Sequence, residues 1–157
     1  MWWVLFLTLL APALAAGAPS PAAGLVAVPV APWLSGYESL RLSLVADDAV
    51  GAAQAGRALV AATTADAELS LAAGRVADAS TDVLRRVEFA ALSRLVVLRL
   101  VADSDAPKVV AYHCGMTDGF AYWVQLQPGL GNPYMGVAMP ACGEQVSLKA
   151  AAKAASS

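Results

Sequence analysis

The chain changes character once, at Asp103-Ser104-Asp105-Ala106-Pro107, and that change limits the folds open to it. Before it, alanine, leucine and valine recur with helical spacing. After it come short β-favouring runs separated by glycine and proline. Acidic turn residues followed by proline end a helix and do not let it restart at once. The expectation is therefore a mainly α (α+β) domain: a three-helix bundle with a small, irregular β-containing cap at its C-terminal side. The 157 residues suffice for one domain with a real core.

Apolar residues make up 59% and charged residues 14% of the chain, and much of the apolar part is alanine, so the composition favours helix packing over membrane burial. The formal net charge is −2, with no Lys/Arg cluster. Nucleic-acid and anionic-membrane surfaces need clustered basic residues, so neither is expected as a partner.

Residues 1–15 read as a secretory signal. Trp2 to Leu10 are almost wholly apolar, and Ala13-Leu14-Ala15 gives the small-x-small cleavage pattern. The apolar run is too short for the ~20 residues that span a bilayer, so no stable membrane insertion is expected after cleavage. Residues 16–34, with Pro19, Pro21, Pro29 and Pro32, read as an extended linker.

The domain is expected over 35–148. Ser35 and Glu38 have capping-box spacing. Tyr37, Leu40, Leu44, Ala52, Ala55 and Leu59 then mark one face of a long first helix, with Asp47 and Asp48 on its solvated side. Gly51 and Gly56 weaken this helix but permit close helix contact. A second helix is expected from Thr64 to Ala73, stopped by Gly74. A third runs from Ser80 to Val101, with Val83, Leu84, Val87, Ala91, Leu95 and Leu98 as its apolar stripe and Arg85, Arg86, Glu88 and Arg94 toward water. Beyond the break, Val109 to Tyr112, Phe120 to Val124 and Val146 to Leu148 are strand candidates. Gly115 to Gly119 is a turn, Gln127 to Pro140 an irregular loop, and 149–157 a flexible tail.

The cap carries the chemistry. The two cysteines each lie within three residues of a methionine, as Cys114-Gly115-Met116 and Met139-Pro140-Ala141-Cys142. Met135 lies between the pairs, and the only histidine, His113, precedes Cys114. Thiolates, thioethers and an imidazole form a soft donor set that selects Cu(I), and by the same softness Ag(I). One histidine is too few for a blue-copper centre or a Cys₂His₂ zinc site. On a strand, His113 would face away from Cys114, and Met135 beside Tyr134 has packing as its alternative role. The rival reading is a Cys114–Cys142 disulfide with no metal, the ordinary outcome for an even cysteine count in an oxidising compartment. The residues alone leave both open. No grouped general acid, base and nucleophile emerges, so no enzymatic activity is expected.

The motifs Tyr112-His113-Cys114-x-Met116, Tyr122-Trp123, Asn132-Pro133-Tyr134-x-Gly136 and Met139-x-x-Cys142-Gly143-Glu144 together resemble the bacterial family termed domain of unknown function 3347. The helical run Tyr37 to Asp48 is similar to that family's first helix, and the resemblance spans residues 35–146. Gly115 stands where the family has proline, and Met135 where it usually has phenylalanine. The resemblance implies a periplasmic or secreted domain in copper or silver handling. Its implied partners are a heavy-metal efflux adaptor, to which such domains are also found fused, or another periplasmic metal carrier. It carries over Cys114, Met116, Met139 and Cys142 as the candidate ligands.

Overall fold

The computed structural model describes residues 30–157. The expected signal (1–15) and most of the expected linker lie outside the described residues. The elements are α1 (Pro32–Val45), α2 (Ala49–Ala62), α3 (Ala67–Asp78), α4 (Asp82–Ala102), β1 (Val110–His113), β2 (Tyr122–Gln125), a 3₁₀ turn at Gly136–Ala138, β3 (Glu144–Val146) and α5 (Leu148–Ala155). The mainly α architecture with a small C-terminal β cap is as expected. Consecutive helices α1 to α4 pack as neighbours, and α4 also carries β2 and α5. No described helix is long and apolar enough to cross a membrane.

Several boundaries differ from the expectation. Helix α1 begins at Pro32, three residues before Ser35, because proline's fixed φ and missing N–H suit the first helical turn. Ser35 therefore caps nothing, and Glu38 instead grips Arg41 through two bonds of 2.7 and 2.9 Å. The expected long first helix is two helices. Asp47 adopts a left-handed φ of 54°, and Asp48 caps α2 by accepting the Gly51 N–H at 2.9 Å. The bundle thus has four helices before the cap, and the aspartate pair is a helix junction. Gly74 does not stop the second helix, since α3 starts only at its Asp66 cap and runs to Asp78. Gly56 does allow a close approach: a Cβ there would lie 2.9 Å from Ala77 Cβ on α3.

The apolar stripe expected on α4 meets the core only in its second half, where Leu95 and Leu98 are half-buried against it. The core takes Phe89, Leu92, Val96, Val97 and Leu100, while Val83, Leu84 and Val87 are exposed. Arg85 lies on the buried side, because its guanidinium donates to the Ala79 carbonyl and to Asp82. The expected flexible tail is helix α5, capped by Ser147 at 3.1 Å from the Ala150 N–H, with Ala151 and Ala155 buried.

The sheet is antiparallel with order β2-β1-β3. His113 is opposite Tyr122 on one side and Glu144 on the other. Aromatic rings join bundle to cap: Tyr37 stacks on Phe89, Phe89 meets Tyr134 edge-on, and Tyr134 meets Trp123, with centroids 5.4, 5.7 and 5.9 Å apart. A hydrogen-bond chain runs beside them. Tyr37 donates to Ser93 at 2.8 Å, and both Ser93 and Tyr134 donate to the Tyr122 carbonyl, at 2.9 and 2.8 Å. The cap is therefore seated rigidly on α1 and α4.

Candidate metal centre

The two-residue period of an extended chain decides which β1 side chains reach the interior. Tyr112 and Cys114 point inward and are buried; His113 points outward. Pairing continues one residue past β1, where the Cys114 N–H bonds the Ala121 carbonyl at 3.0 Å. The turn that follows carries Met116 and Thr117. Cys142 arrives from the far end of the long loop, immediately before β3.

Gly143 makes that arrival possible. Its φ is +137°, and a Cβ there would lie 2.9 Å from the His113 carbonyl and 3.0 Å from the Trp123 ring. Only glycine lets the chain pass this close to β1, and the passage sets Cys142 against Cys114.

Asn132 shapes the loop. Fully buried, it accepts the N–H groups of Tyr134 and Met135 at 2.8 and 3.2 Å and donates to the Cys142 carbonyl at 2.7 Å. Two arginines hold the loop to the bundle. Arg41 donates to the Gly131 carbonyl at 2.8 Å and Arg86 to the Pro133 carbonyl at 3.1 Å. Arg86 also pairs with Asp47, whose other oxygen accepts the Val137 N–H at 3.1 Å.

The outcome is a contiguous sulfur cluster. Cys114 Sγ and Cys142 Sγ are 3.5 Å apart, and Cys142 Sγ is 3.5 Å from Met116 Sδ. The Thr117 hydroxyl donates to Cys114 Sγ at 3.5 Å and lies 3.9 Å from Met135 Sδ. Both cysteines are free thiols. Cys114 forms the buried floor and Met116, 66% exposed, the mouth.

The six candidate residues therefore divide. Cys114, Cys142 and Met116 are in contact, and Met135 borders them across Thr117. Met139 joins Cys142 through a tight turn, closed by the Cys142 N–H on the Met139 carbonyl at 3.1 Å, but the thiols' side-chain contacts run to each other, Met116 and Thr117, and not to the Met139 sulfur. His113 lies on the opposite side of the strand, stacked on Tyr122 at 4.4 Å with Glu144 at 3.7 Å from its Nδ1. Thr117 and Asn132 were not foreseen. The Asn-Pro step was a usable signal, because asparagine side chains accept backbone N–H groups two residues on.

Burial pushes the Cys114 thiol up, but hydrogen bonds from Thr117, the Met116 N–H, Asn132 and Cys142 outweigh it and hold it below the ordinary cysteine range. Cys142 is pushed up, mainly because it donates its own S–H to Cys114. The pair thus ionises first at its buried member, giving a thiolate beside a thiol and a thioether. Among the described residues, no group of three or more His, Cys, Asp or Glu side chains could hold a metal ion. A metal bound here would have to take methionine sulfur as its third donor.

No family model, no curated protein and no solved structure matches this chain. The likeness to domain of unknown function 3347 rests on the motifs alone.

Proposed function

We propose that this protein is an exported, non-enzymatic soft-metal-binding domain that sequesters or relays Cu(I), and by the same chemistry Ag(I), in metal handling or efflux. The observation that carries the reading is the run of three sulfurs, Cys114–Cys142–Met116, with 3.5 Å between neighbours. Metal–sulfur bonds of ~2.3 Å set two sulfurs on one ion roughly 3.7–4.0 Å apart. The Cys114–Cys142 and Cys142–Met116 separations would each open by only a few tenths of an ångström to accept one. Thiolate and thioether together favour Cu(I) over harder cations. Cys114 and Cys142 are the thiolate ligands, Met116 the thioether ligand and Met135 the adjacent reserve. The exposed mouth suits exchange with a carrier or an efflux adaptor, and the motif resemblance points to the same periplasmic setting.

The Cys114–Cys142 contact also supports a second reading, a disulfide-pinned helical interaction module of the cell envelope without metal. The two readings separate in one experiment. The reduced mature protein is titrated anaerobically with Cu(I) against a competing chromogenic chelator. Stoichiometric competition that is abolished in the C114S/C142S double variant is the expected result. Wild-type affinity in the double variant, or no competition with the thiols verified as reduced, overturns the metal assignment. Absence of free thiols in the exported protein, with a large loss of stability on reduction, would establish the module instead.

A further inference from the structure

The apolar stripe that the core does not use has a place of its own. Val83, Val87 and Ala90 follow one another along α4 at helical spacing. They line a groove of about 810 Å³ whose other wall is Phe120, Tyr134 and Met135 of the cap. Val83 is 77% and Val87 60% exposed. Valines with this much surface in water on a well-packed helix mark a contact surface rather than core. Residues at i, i+4 and i+7 are the pattern by which one helix receives another.

Two further observations specify the occupant. The first is charge. Asp82 and Asp118 stand on opposite sides of the groove. Asp118 has no cationic partner among the described residues, and Asp82, half in solvent, shares only Arg85. The one cation lining the groove, Arg86, is already engaged with Asp47 and the Leu44 and Pro133 carbonyls. The margin is therefore net acidic. The second is continuity with the sulfur cluster. Thr117 and Met135 belong to the groove wall, and Thr117 donates to Cys114 Sγ at 3.5 Å.

We propose that this groove is the docking site for an amphipathic helix of a partner protein, apolar on the face it presents and basic along its edges. Seated there, the helix lies against Met135 and Thr117, one side chain removed from the Cys114 thiol. On the soft-metal reading above, on which this role rests, docking holds the partner's own donors where metal passes between the two proteins.

The test uses the full reduced protein and two labelled synthetic helical peptides. Their leucine faces are identical, but one has lysine edges and the other glutamate edges. Binding is read by fluorescence anisotropy and located by backbone amide shifts in the ¹⁵N-labelled protein. The lysine peptide is expected to shift Val83, Val87, Phe120 and Met135, and the glutamate peptide to bind at least ~10-fold more weakly, the equivalent of about 1.4 kcal/mol. Val87→Glu should weaken the lysine peptide about tenfold and leave Cu(I) competition unchanged. Asp118→Lys should narrow or reverse the preference between the peptides. Shifts centred elsewhere, such as around Leu71 and Leu84, or equal binding of both peptides, overturn the proposal. Correct seating in a protein that fails the Cu(I) titration retains the helix site and removes the metal reading, so the two failures are distinct.

Discussion

Asn132 is the residue whose loss should most damage the cap, and the size of the effect can be worked from its bonds. Asn132→Ala removes an acceptor shared by the Tyr134 and Met135 N–H groups and the donor to the Cys142 carbonyl. The Tyr134 bond is buried, and the other two are partly buried. An orphaned buried group costs ~1–3 kcal/mol, and a bond that water partly replaces ~0.5–1.5 kcal/mol. The sum is about 2–6 kcal/mol, a large part of the ~5–15 kcal/mol that holds a domain folded. In urea, with a slope of ~2 kcal/mol/M, the midpoint should fall by roughly 1–3 M. Trp123, fully buried in the cap, lies where fluorescence would report the loss.

The same substitution releases the Cys142 carbonyl, so the two thiols should meet less often. Disulfide formation under a mild oxidant should slow by at least the factor that the opened loop imposes on close encounter, a readout independent of any metal. A midpoint within about 0.3 M of wild type, with an unchanged slope, would refute the reasoning. It would mean that water satisfies these backbone groups and that the arginine contacts alone hold the loop.

Two other outcomes follow from the same geometry. Gly143→Ala forces a side chain into a left-handed φ and against the His113 carbonyl and Trp123, so it should cost about 2–4 kcal/mol, read as a lowered thermal midpoint; an unchanged midpoint would deny β3 its tight passage. Ultraviolet titration of thiolate absorbance should show two steps flanking the ordinary value of ~8.5, which belong to the pair as a whole. Removing a donor to a thiolate raises its pKa, so Cys142→Ala should leave one step, moved up from the lower of the two; a step that stays or falls would show that Cys142 does not stabilise the Cys114 anion.

What the sequence revealed, and what it hid, follow from the range of the interactions. Strand alternation needs only neighbouring residues, so the opposite facing of Cys114 and His113 was readable from spacing. The α4 face was misread because that helix is apolar on two sides. Val83 and Val87 fit a helical stripe as well as Phe89, Leu92 and Val96 do, and the buried Arg85 argued for the wrong side. Its burial depends on the Ala79 carbonyl, a loop acceptor that no periodicity reports. The helix junction at Asp47 was hidden likewise, since the apolar spacing continues across it by coincidence.

The sulfur cluster shows the same division at atomic scale. Cys114 and Met116 share a short segment of chain, and their nearness is local. The choice of Met135 over Met139 is not. It is made by Asn132, which bonds backward to Cys142 and forward to Met135, and by Arg86 and Asp47, which pin Pro133 and Val137 from the helical bundle. A polar residue with partners in two other elements directs a loop without leaving a period in the sequence. The second thioether, which reaches the thiols only across Thr117, is thus selected by the bundle. It follows that Asp47→Ala, about ninety positions upstream of Val137, should disturb the Met135 side of the cluster before it disturbs Met116.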